Sequence, residues 1–217
     1  MIKLIDILNE NNKILVPRRS PEERQKNYAI SIQKNIQQYI KDGGEGNLNL
    51  NNTPITSLPD NLKVGGGLYL SNTPITSLPD NLQVGGSLYL DSTPITSLPD
   101  NLKVGGFLDL SNTPIKSLPN NLEVGGSLDL TGTKITSLPD NLKVGGDLDL
   151  NNTPITSLPD NLKVGGSLGL SGTKIISLPD NLKVGGDLWL SNTPLAQKYT
   201  KEQSKKMVPG VKGKIYL

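Results

Sequence analysis

From Leu48 to Leu195 the chain repeats every twenty residues without a slip, as Leu-x-Leu-x-x-Thr-Pro/Lys-Ile-x-Ser-Leu-Pro-Asp/Asn-Asn-Leu-x-Val-Gly-Gly. A unit this short has too few apolar positions to enclose a core of its own. Each must bury its apolar edge against the next, so the period predicts a solenoid of stacked coils. In each unit two leucines one residue apart, from Leu48/Leu50 to Leu188/Leu190, read as a short strand. Strand side chains alternate, so both leucines point inward and the residues between and beside them point outward. Residues twenty apart then form rows about 4.8 Å apart, the spacing of hydrogen-bonded strands. The proline-rich remainder of each unit cannot form a regular helix and is expected to be extended or to make one short turn. Val-Gly-Gly, as at Val84-Gly85-Gly86, reads as an apolar plug and a flexible corner.

These residues resemble the leucine-rich repeat, and the twenty-residue length with a Leu-Pro doublet is similar to the short class found in bacterial and phage proteins. The resemblance implies a parallel sheet on a concave face and a non-helical convex side. Threonine, from Thr53 to Thr193, stands where the family pattern has asparagine or cysteine. A single hydroxyl donor in place of an amide predicts a thinner hydrogen-bond ladder between coils, completed by water.

Three segments follow. Residues 1–46 read as a helical cap: Ser20-Pro21-Glu22-Glu23 is a capping box that opens a helix to about Asp42, stopped by Gly43-Gly44. Ala29, Ile32, Ile36 and Ile40 give that helix an apolar stripe able to cover the first coil. A shorter apolar stretch, Ile2 to Leu8, is expected beside it, with Asn11 to Arg19 as a connector. Residues 47–195 are the eight repeats. Residues 196–217 read as a second cap, with a short helix from Thr200 to Lys206 or Met207 and a ninth strand placing Ile215 and Leu217 inward.

Composition narrows the function. The 217 residues contain neither cysteine nor histidine, which removes disulfides, thiolate metal sites and the commonest nucleophile–base pairs. No phosphate-binding glycine loop is present, and an open sheet rarely converges six oxygens on one cation, so neither an enzyme nor a cofactor or metal site is expected. The first residues, with Lys3 and Asp6, are too short and interrupted for a leader or a membrane span. A cytoplasmic protein is expected, with leaderless secretion left open, and a monomer is favoured. Net charge is +2, yet residues 47–195 carry thirteen acids against eight Lys/Arg, and residues 196–217 carry one acid against six Lys. The basic tail lacks interleaved aromatics apart from Tyr199 and Tyr216 and reads as solvated lysines, not as a nucleic-acid site.

The outward strand positions diverge while the outer segment hardly changes: residues 55–66, 95–106, 135–146 and 155–166 are identical. Between the paired leucines the row runs Asn49, Tyr69, Tyr89, Asp109, Asp129, Asp149, Gly169, Trp189. Large aromatics suit contact hot spots, so Tyr69, Tyr89, Phe107 and Trp189, with Asp91, Asp109, Asp129, Asp147, Asp149 and Asp187, form the candidate partner-binding face. The stacked aspartates are either a docking row for a basic protein or a solvated ladder tolerated at small cost, since like charges ~5 Å apart repel by about 1 kcal/mol or less in water. The rival to a docking face is a spacer or assembly element that works through its end caps. Outer pairs such as Asp60 and Lys63 read as charge balance within each coil, with Asn120 and Glu123 exchanged together in one coil.

Overall fold

The computed structural model describes residues 20–200, 203 and 208–217. The expected segments Ile2 to Leu8 and Asn11 to Arg19 lie outside them, as does most of the expected C-terminal helix. Within them the chain winds as a solenoid of parallel two-residue strands. Nine strands, from Leu48–Asn49 through Leu188–Trp189 to Ile215–Tyr216, form one sheet, here called the leucine sheet. Its register is in step: Leu68 pairs with Leu88, Tyr69 with Tyr89, Asp109 with Asp129. The leucines of the pairs from Leu68/Leu70 to Leu188/Leu190 are 0–2% exposed, so the alternation predicted from sequence holds.

A second sheet was not anticipated. Seven strands from Lys63–Val64 to Lys183–Val184 form their own parallel ladder, the valine sheet. Their valines are buried as expected, but the following glycines are no flexible corner. The Gly85 N–H donates to Val64 O at 2.8 Å and the Gly86 N–H to Gly66 O at 2.9 Å, and later coils repeat the arrangement. A Cβ on Gly105, Gly125, Gly145, Gly165 or Gly185 would collide with the carbonyl oxygen of the glycine one coil earlier. Close approach of neighbouring backbones, and not positive φ, demands glycine here.

The threonines behave differently from expectation. Thr73 Oγ1 donates to Leu70 O at 2.7 Å, within its own coil, while the Thr73 N–H donates to the same carbonyl at 3.2 Å. From Thr73 to Thr193 these side chains are buried, and among the described residues no buried side-chain polar atom lacks a partner. The hydroxyl therefore closes a turn instead of joining coils, and no bridging water is needed. The residue before each threonine has positive φ, between +56° and +71° from Asn52 to Asn192, which explains the run of Asn, Ser and Gly there.

Both ends are covered. The helix α1, Pro21–Lys41, starts with the predicted capping box, Ser20 and Glu23 each accepting the other's backbone N–H. It stops where Gly43 (φ +91°) donates to Ile40 O and Gly44 to Tyr39 O, a Schellman arrangement. Ile32 and Ile36 are buried, but Ala29 and Ile40 are exposed, correcting the predicted stripe. Tyr39 completes it instead, its hydroxyl shared between the carbonyls of Gly44 (2.6 Å) and Gly46 (2.9 Å). Those carbonyls matter because Gly44 and Gly46 also accept from Gly65 and Gly66, standing in for a preceding coil.

At the other end the ninth strand pairs Ile215 with Leu188, burying Ile215 and half-burying Leu217. The same tail extends the valine sheet through a bridge from Val184 to Val211. A capping box links Thr200 and Gln203, and Gln203 is helical. No helix among the described residues is long and apolar enough to cross a membrane.

Candidate functional site

The outward face of the leucine sheet gathers the diverging side chains into rows, and hydrogen bonding explains part of their identity. At the position before each leucine pair, an oxygen of Asn47, Ser87, Ser127, Asp147, Ser167 or Asp187 accepts the backbone N–H of the next coil, at 2.6–3.1 Å. Gly67 and Phe107 supply no such oxygen. Both interruptions fall at the aromatic cluster. Tyr69 folds back over Gly67, where a Cβ would stand 3.0 Å from its ring. Its ring stacks on Tyr89 (centroids 4.9 Å, planes 7° apart), and Tyr89 meets Phe107 edge-on at 5.6 Å. The cluster half-buries itself, so these three rings are less exposed than the sequence implied. A second stack, Trp189 on Tyr216 at 3.8 Å, closes the other end of the row, with Trp189 still 40% exposed.

Between the two stacks lie the aspartates. Asp109, Asp129 and Asp149 each accept the backbone N–H two residues on, at 2.8–2.9 Å. Asn49 does the same job for Asn51 at 3.0 Å. In the coils of Tyr69 and Gly169, which lack such an oxygen, Asn51 and Asn151 of the preceding coil take over, accepting from Ser71 and Ser171. Asp91 accepts from the Ser71 hydroxyl. Phe107, Ser127, Asp129, Asp147 and Asp149 line a shallow depression of about 410 Å³. The structure thus brings the aromatic cluster and the central aspartates together on one face, with Asp187 and Trp189 toward its far end. Tyr216 was not among the sequence candidates as a face residue, although its strand was.

Burial pushes the Asp109 carboxyl above its ordinary range, opposed by hydrogen bonds from Ser111 and reinforced by the charges of Asp129 and Asp91. A carboxyl raised in the folded state binds its proton more readily there than in the unfolded chain. Its contribution is most favourable at acid pH and is lost as pH rises from the unfolded value through the folded one. Asp109→Asn, which keeps the acceptor for Ser111, is therefore expected to raise the denaturant midpoint at pH 7. The gain should shrink below about pH 4, where aspartates take up protons in either state. Urea titrations at both pH values check this.

The valine sheet is ordered differently from the expected charge balance within coils. The ion pairs among the described residues run between coils: Glu123 lies 3.3 Å from Lys103 and 2.9 Å from Lys143. Hydrogen bonds from Lys143 and Lys103 hold its carboxyl below the usual range. Glu123 thus interrupts a row of lysines that would otherwise repel along the valine sheet.

No protein-family model matches the chain, and no curated protein matches it significantly. Solved structures do. The leucine-rich-repeat domain of a Shigella effector aligns at 19% identity with a TM-score of 0.59, covering 90% of this chain and 93% of that one. The leucine-rich effector protein YopM from Yersinia pestis aligns at 20% identity with a TM-score of 0.54 over 91% of this chain, which spans 60% of that protein. The fold is that of the leucine-rich repeat.

Proposed function

We propose that this chain is a non-enzymatic protein-interaction module that binds its partner through the outward face of the leucine sheet. The observation that carries the reading is the pairing of two aromatic clusters, Tyr69/Tyr89/Phe107 and Trp189/Tyr216, toward the two ends of one outward sheet face. Large rings on an open sheet contribute little to a core whose leucines are already sealed, whereas such rings dominate binding energy at protein interfaces. The fold itself names no partner. Its rigid, in-register strands are the scaffold on which such a face can be held ready, which limits the ordering cost of association.

The test is a variant with Tyr69, Tyr89, Phe107 and Trp189 all replaced by alanine. It is expected to keep the circular dichroism of the parent and to lose capture of the partner from a lysate. Undiminished capture by the folded variant contradicts the reading.

A further inference from the structure

The charges of the central row exceed what the fold needs. Capping the backbone N–H two residues on requires only a side-chain oxygen, and neutral Asn49 provides it as well as Asp109, Asp129 and Asp149 do. Three successive coils nevertheless place a carboxylate there, one spacing of about 4.8 Å apart, against their mutual repulsion. Every charged residue at the outward strand positions of the eight repeats is acidic: Asp91, Asp109, Asp129, Asp147, Asp149 and Asp187. Asp129, Asp147 and Asp149 each engage one oxygen with the backbone, and the other has no protein donor among the described residues, whereas Asp109 is also met by the Ser111 hydroxyl. The depression beside them is lined by Phe107, Ser127 and Leu128 together with Asp129, Asp147 and Asp149. An apolar wall next to several acceptors matches a long side chain with an aliphatic stem and a cationic head.

We propose that the partner docks an extended segment bearing lysine or arginine on this face, with one cation seated between Phe107 and the carboxylates of Asp129, Asp147 and Asp149. This inference rests on the docking reading above and specifies its partner. The geometry also sets a spacing. Tyr89 precedes Asp129 by two coils and Asp149 by three, roughly 10–14 Å, which an extended peptide covers in about three to four residues. The segment should therefore carry an apolar or aromatic residue that far from its cation, the first packing on the Tyr89 cluster and the second entering the depression.

Selection of short random peptides on phage against the full chain tests this. The selected peptides are then titrated, by fluorescence anisotropy, against four proteins: the parent, the four-alanine aromatic variant, a triple Asp109→Asn, Asp129→Asn, Asp149→Asn variant, and a control with Asp60→Asn, Asp140→Asn and Asp160→Asn. The triple variant retains every backbone cap, so its fold is expected to persist. The proposal expects peptides rich in Lys or Arg at the stated spacing. They should bind more weakly as salt rises, lose about tenfold or more in affinity on the triple variant, and be indifferent to the control. Peptides without cations that are lost on the aromatic variant would overturn this inference and leave the docking reading standing. Peptides indifferent to both face variants, or a selection that yields none, would contradict both.

Discussion

Alanine at Gly125 is expected to lower the stability of the solenoid by about 1–3 kcal/mol, the usual range for forcing atoms into a filled interior. The new Cβ meets the carbonyl of Gly105, which is backbone and cannot rotate away. Relief requires separating two coils, and separation weakens the bonds from Gly125 to Val104 and from Gly126 to Gly106, both 2.9 Å. Alanine at Gly145 should act alike. Gly132 supplies the contrast. Its φ of +70° is the conformation that Asn112 and Asn152 adopt in equivalent places, and the nearest obstacle to a Cβ is the end of the Asn112 side chain, which can move. Gly132→Asn should therefore stay within about 0.5 kcal/mol of the parent. Thermal or urea unfolding of the variants compares them; equal losses at Gly125 and Gly132 would contradict the steric account of the glycine ladder.

Removal of residues 201–217 is expected to have a larger effect. Val208 and Ile215 are buried at the end of the stack, and Val211 and Leu217 pack against the same core. Burial of one such side chain contributes about 1.5–3 kcal/mol. The deletion also leaves Val184, Leu188 and Leu190 facing solvent and removes Tyr216 from Trp189. A solenoid end uncovered in this way offers unpaired backbone groups beside apolar side chains, a template for association. The truncated chain should melt at a clearly lower temperature, bind a hydrophobic dye and elute as larger species. An unchanged melting temperature and elution volume would mean that the tail is not a cap.

The sequence announced the leucine rows because a strict twenty-residue period leaves only one way to bury Leu68 against Leu88. The capping box at Ser20 and the ninth strand at Ile215 were equally legible, each resting on local chemistry at fixed offsets. The valine sheet was hidden because its strands are two residues long and lie between proline and glycine, where neither periodicity nor propensity gives a signal. Ile40 misled through its hydrophobicity: Ile32, Ile36 and Tyr39 make the contact of α1 with the core, and Ile40 falls on the exposed side. The left-handed turn residues could have been found, since Asn, Ser and Gly alternate at one position of every unit. At the face, the period placed Tyr69, Tyr89 and the aspartates in one row. It could not show that Tyr69 lies over Gly67 or that Asp109 caps Ser111, because both depend on side-chain torsions that the repeat does not encode.

Carboxyl footprinting of the chain with and without its bound partner tests the docking account most directly, because aspartates stand both on the leucine-sheet face and in the outer segments of most coils, where they serve as internal controls. Carbodiimide labelling is predicted to fall at Asp109, Asp129, Asp147 and Asp149 and to stay constant at Asp60, Asp140 and Asp160. Protection of the second set with the first still labelled would place the partner on the opposite surface and contradict the account.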